Sequence, residues 1–129
     1  MIALDTNVVV RFLVNDDRAQ GRRARDLIAR GSVFVGATLL LETEWVLRSA
    51  YGFPTTEIGR FFRALLGLPA IATDDPERIA RALDGYDAGL DFADALHLAF
   101  AGSAGSFATF DRRLARRAAR LTGLRIVAP

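Results

Sequence analysis

Apolar residues recur along the chain in short runs separated by longer stretches of helical period. Ile2 to Leu4 is a brief apolar run ending at Asp5, with Thr6 and Asn7 as capping residues ahead of Val8-Val9-Val10-Arg11-Phe12-Leu13. This predicts a strand and then a helix. From Asp16 to Arg30, Ala24, Leu27 and Ile28 fall at helical spacing with arginines opposite, and Gly31 stands where a helix C-terminus favours glycine. Ser32 to Val35 reads as a second strand and residues 38 to 50 as an amphipathic helix. After the Gly52-Phe53-Pro54 turn, Thr55 or Thr56 is expected to cap a helix from Ile58 to Leu66. Pro69 to Ala72 is short and extended. Asp75-Pro76 opens a helix to about Asp87, with proline in its first turn, and Phe92 to Ala101 is a further helix. A strand at Ser106 to Phe110, a helix at Arg112 to Leu121 and a strand at Arg125 to Val127 complete the pattern.

Short apolar strands alternating with helices imply an α/β fold, a three-layer α/β/α sandwich around a central parallel sheet. At 129 residues the chain has room for a single domain over 1–129. Ligands of such sheets gather beyond the carboxyl ends of the strands. Asp5 follows the first strand and Asp111 the Ser106 to Phe110 strand, which places both at that edge.

The chain has no cysteine and one histidine, so thiol chemistry and thiolate zinc sites are excluded and carboxylates become the main candidates. Asp5 and Asp111 at strand ends are joined by Asp94, near the start of the helix at Phe92, and by Glu42 or Glu44 on the helix after the second strand. Gathered acids repel one another unless a cation occupies their centre. Hard oxygen donors favour Mg²⁺ or Mn²⁺, which suits phosphodiester hydrolysis by a metal-activated water. Asp91 is assigned the capping role at the same helix start, and Asn7 a supporting one beside Asp5. Thr109, on the same side of its strand as Asp111, is placed to donate a hydrogen bond to a carboxylate or a phosphate. His97 shares a helix face with Asp94 and reads as a packed, hydrogen-bonded residue. Trp45, Phe61, Phe62 and Phe100 fall at packing positions, in the core or at an interface, rather than at base-stacking ones.

All 17 basic residues are arginines, against 15 acids. If four acids serve a cation, the remaining surface favours a polyanion. Arg112, Arg113, Arg116, Arg117 and Arg120 begin beside Asp111 and share one broad helix face, suited to holding flanking phosphates. Hydrophobic residues make up 51% of the sequence, enough for a large core and a partner surface. No apolar run approaches a membrane span or a signal peptide, so a cytoplasmic location without membrane contact is expected.

Four segments resemble the motifs of the PIN domains, and within them the VapC-type toxins of bacterial toxin-antitoxin pairs. They are Ile2-Ala3-Leu4-Asp5-Thr6-Asn7-Val8, the stretch Leu39 to Leu47, Asp91-Phe92-Ala93-Asp94-Ala95-Leu96, and Phe107-Ala108-Thr109-Phe110-Asp111. The resemblance runs the length of the chain and places the second acid at Glu42 rather than Glu44. It implies a Mg²⁺- or Mn²⁺-dependent endoribonuclease with Asp5, Glu42, Asp94 and Asp111 as ligands. It also implies a homodimer inhibited by a cognate antitoxin whose tail covers the active-site groove, with residues 38 to 66 contributing to the dimer or antitoxin surface. A catalytically silent RNA- or protein-binding module of the same fold, or a DNA-directed nuclease of the same chemistry, is the alternative. A receiver or phosphatase is disfavoured by the absence of lysine, and a dinucleotide-binding domain by Asp5-Thr6-Asn7 standing where a glycine-rich loop would be.

Overall fold

Alternation of apolar runs with helical segments produces five short strands and seven α-helices in the computed structural model, which describes residues 1–129. The fold is mixed α/β, and every strand pairing is parallel. The chain divides into two compact units, Met1–Asp75 and Pro76–Pro129.

In the first unit, β1 (Ile2–Ala3), β2 (Val33–Phe34) and β3 (Ile71–Ala72) form a sheet in that order. Ile2 is in register with Val33, and Val33 with Ile71. Parallel strands need crossover connections. α1 (Thr6–Val14) and α2 (Arg18–Ala29) provide the first; α3 (Ala37–Ser49) and α4 (Thr55–Leu66) provide the second. Central β2 is the best covered strand, with Val33 and the adjoining Val35 buried, whereas Ile2 on the edge strand is 52% exposed. Gly31 takes a left-handed φ of 85°, as expected after α2. α1 starts at Thr6, so the capping position belongs to Asp5 rather than to Thr6 or Asn7. α4 likewise starts at Thr55 behind Pro54, and neither threonine caps it. From the last turn of α1, Arg11 donates to Asp16 and to the Tyr51 hydroxyl, which in turn donates to Asp16 at 2.7 Å. The Tyr51 hydrogen bond, aided by Arg11, holds the Asp16 carboxyl below its ordinary range.

In the second unit, α5 (Pro76–Asp87) and α6 (Phe92–Phe100) pack on one another, with Tyr86 and Phe92 edge to face at 5.1 Å. A short 3₁₀ turn, Gly102–Ala104, leads into β4 (Ser106–Ala108). α7 (Arg112–Leu121) then crosses to β5 (Arg125–Val127), which pairs with β4. Leu114 and Ala118 form the buried edge of α7, opposite its arginines.

The Thr43 hydroxyl is fully buried in α3 and has no hydrogen-bond partner. A buried hydroxyl left unpaired opposes folding by about 1–3 kcal/mol. Thr43→Val should therefore raise stability by about 1 kcal/mol, read as a higher urea midpoint at unchanged slope. A lower midpoint would mean that the hydroxyl is satisfied in solution.

Candidate metal and nucleic-acid site

Asp5 leaves the carboxyl end of β1 and occupies the capping position of α1. Its backbone carbonyl starts the helix, accepting from Val8 and Val9, while its side chain accepts no capping bond. The carboxylate is exposed and unspent. Glu42 lies in the second turn of α3, which packs on α1. Its face of the helix also carries Thr38, Trp45 and Ser49, all exposed, while Leu40, Thr43, Glu44 and Leu47 are buried on the other side. The contrast with Glu44 is chemical as well as spatial. Glu44 is 3% exposed and accepts from Arg48 Nε at 2.8 Å, a pairing internal to α3. Glu42 is thus the acid on this helix free to meet a ligand.

The start of α3 has a support that the sequence pattern did not reveal. Gly36 offers no side-chain cap, and Asp74, in the loop after β3, accepts from the Ala37 N–H at 3.2 Å. The Thr73 hydroxyl also donates to that oxygen. A carboxylate at a helix N-terminus satisfies an orphan donor and meets the positive end of the dipole. The 37-residue separation leaves no local signal for it.

In the second unit, Asp91 occupies the capping position of α6 without making a side-chain cap, so the capping role expected of it is positional only. Asp94 lies in the first turn and is partly buried. Burial raises its pKa, as does the negative charge of Asp91 and, more weakly, of Asp111, while His97 opposes the rise. His97 is exposed rather than packed, which corrects the sequence expectation. Asp111 does two jobs. Its Oδ1 caps α7, accepting from the Arg113 and Leu114 N–H groups at 3.0 Å each, which leaves Oδ2 for a ligand. The Thr109 hydroxyl accepts from the Asp111 N–H at 3.0 Å and so fixes the turn, while its own proton is still there to be donated. Thr109 itself is anchored by its N–H to the Val127 carbonyl.

The second unit therefore brings Asp91, Asp111 and His97 each into electrostatic range of Asp94, and the first unit carries Asp5 and Glu42. In neither unit do three carboxylate or imidazole groups converge into a closed cation cage. Carboxylate oxygens are the donors that a hard divalent ion takes, and the pKa of Asp94 is raised first by burial and then by the charge of Asp91, the second a burden that a cation would relieve.

The arginines of α7 divide by environment. Arg112, Arg113, Arg116 and Arg120 are exposed, and none pairs with a carboxylate. Arg117 is half-buried and donates from NH1 to the Gly89 carbonyl at 2.8 Å. Aromatic residues divide too. Phe62 is fully buried, and Phe100 lies under the Arg78 guanidinium, but Trp45 is 59% exposed, so it packs outside the core of this chain and leaves the interface as the place for it.

A sequence profile for the PIN domain matches residues 2–120, a span that includes all four proposed ligands. No curated protein matches the chain. No helix is long and apolar enough to cross a membrane.

Proposed function

Because this chain belongs to the PIN-domain family, whose members are generally nucleases acting on nucleic acids, we propose that it is a Mg²⁺- or Mn²⁺-dependent endoribonuclease serving as the toxin of a toxin-antitoxin pair. The observation that carries this reading is the placement of Asp94, a partly buried acid in the first turn of α6 whose ionisation is opposed first by burial and then by the charge of Asp91. Holding such a group at a structural cost makes sense where a cation is to be bound.

The proposed ligands are Asp5, Glu42, Asp94 and Asp111, within one PIN domain covering 1–129. A bound Mg²⁺ or Mn²⁺ would offset phosphate charge and lower the pKa of the attacking water. The remaining work falls to the chain. The free carboxylate of Asp5 and the unspent Oδ2 of Asp111 supply oxygen donors at the starts of α1 and α7. Arg112, Arg113 and Arg116 hold phosphates flanking the cut, and the fork geometry of arginine suits that task. Asp91 adds negative charge beside Asp94, Thr109 keeps the Asp111 turn in shape, and Asn7 stands beside Asp5 on α1. The protein acts in the cytoplasm as a homodimer, neutralised by its cognate antitoxin, with α3 and α4 contributing to the partner surface; the exposed Trp45 supports that last assignment.

The test is cleavage of total cellular RNA by the purified protein with Mg²⁺ or Mn²⁺, beside EDTA and Asp5→Asn controls. Metal-dependent cutting lost in both controls is expected. Cutting of single-stranded DNA in preference to RNA would make it a DNA-directed nuclease. No cutting by antitoxin-free protein would leave a binding module.

A further inference from the structure

α7 carries five arginines, and four of them point their charge into solvent. The fifth, Arg117, reaches the turn between α5 and α6, where its NH1 donates to the Gly89 carbonyl at 2.8 Å. That turn is tightly specified. Gly89 has a left-handed φ of 100°, its N–H donates to the Tyr86 carbonyl, and the Leu90 N–H donates to Gly85. Two residues after Gly89 comes Asp91, and α6 begins with no side-chain cap. The start of α6, and Asp94 in its first turn, is thus fixed by this backbone turn and by what grips it.

The other end of the same connection is α7. Its first turn is welded to Asp111 by two capping bonds. Arg117 therefore joins the element that starts at Asp111 to the turn that starts the Asp94 helix. From this geometry we infer that Arg117 is a positioning residue, which sets the separation of Asp94 and Asp111 by clamping the Gly89 carbonyl. The inference rests on the proposed reading of those two acids as cation ligands. It gives Arg117 a role different from that of Arg113 and Arg116, although all three share one helix face.

The two roles separate experimentally. Supports of metal ligands typically change affinity 10- to 100-fold when removed. In Arg117→Ala, Mn²⁺ binding followed by calorimetry should weaken by about tenfold or more. The urea midpoint should move little, because the lost hydrogen bond is solvent-exposed. Excess Mn²⁺ should restore the cleavage rate. Arg117→Lys should retain near-normal Mn²⁺ affinity, since only one donor is used. The salt dependence of RNA binding, measured in EDTA, gives the contrast. Arg113→Ala and Arg116→Ala should each lower its slope by roughly one unit, and Arg117→Ala should leave it unchanged.

A wild-type protein that binds Mn²⁺ while Arg117→Ala binds it equally well would overturn the positioning role and leave the nuclease reading standing. A lowered salt slope in Arg117→Ala with unchanged Mn²⁺ affinity would make it one more phosphate contact. Absence of Mn²⁺ binding by the wild type would overturn both.

Discussion

Asp94→Asn is expected to abolish cleavage and, in EDTA, to stabilise the protein near neutral pH. The first effect follows from its proposed role. Loss of an outer partner of a metal site typically costs 10- to 100-fold, so loss of a ligand should cost at least about a hundredfold in rate. The second follows from its environment. Burial and the charge of Asp91 raise its pKa above the ordinary 3.8, so the folded protein binds this proton more tightly than the unfolded chain does. Ionising Asp94 therefore costs stability. That cost is absent below the ordinary value, where the group is protonated in both states, and is fully present once pH has risen through the raised value. The asparagine variant never bears it. Urea unfolding at acid and neutral pH should show the variant matching the wild type at about pH 3 and exceeding it at neutral pH, by a small margin because the group is only partly buried. Saturating Mn²⁺ should remove or reverse that margin, since only the wild type gains the ion's binding energy. A variant less stable than the wild type in EDTA at neutral pH would show that Asp94 serves packing rather than a cation.

Phe62→Ala and Trp45→Ala should behave as opposites, although both residues sit at packing-like positions of adjacent helices. Phe62 is fully buried, and truncating such a ring leaves a cavity costing about 3–5 kcal/mol. Against a total stability of roughly 5–15 kcal/mol, that is a large fraction. The urea midpoint should fall steeply and the helical signal should melt at a markedly lower temperature. Trp45 is 59% exposed, and its replacement should shift stability by no more than about 0.5 kcal/mol. On the proposed reading its loss should instead weaken self-association or antitoxin binding, which sedimentation would read as a weakened assembly. A destabilisation by Trp45→Ala as large as that of Phe62→Ala would mean that the indole is covered in the monomer.

These pairs show what kind of information was local. All seven helices and the parallel character of the strands were readable from apolar period, turn glycines and prolines, because helix period and strand brevity are properties of neighbouring residues. Asp5, Asp94 and Asp111 could be singled out because each begins an element leaving a strand or a turn, and such places are visible in one dimension. Boundaries were less secure. Helix starts moved ahead of the expected capping residues at Thr6 and Thr55, since the residue at a capping position need not cap with its side chain, as Asp5, Pro54 and Asp91 demonstrate.

Other features were decided by tertiary structure alone. Period could not say which of Glu42 and Glu44 is exposed; the Arg48 pairing and burial of Glu44 decided it. Nor could it divide Trp45 from Phe62, give His97 to solvent, or single out Arg117 from its neighbours on α7. Asp74 reaches α3 across 37 positions, and Arg117 reaches Gly89 across 28. By itself, then, the sequence determined the elements, the PIN family and the acids for which a cation site is proposed. The folded structure decided which side chains are already spent on capping and pairing, because hydrogen-bond partners and burial depend on residues brought together from distant parts of the chain.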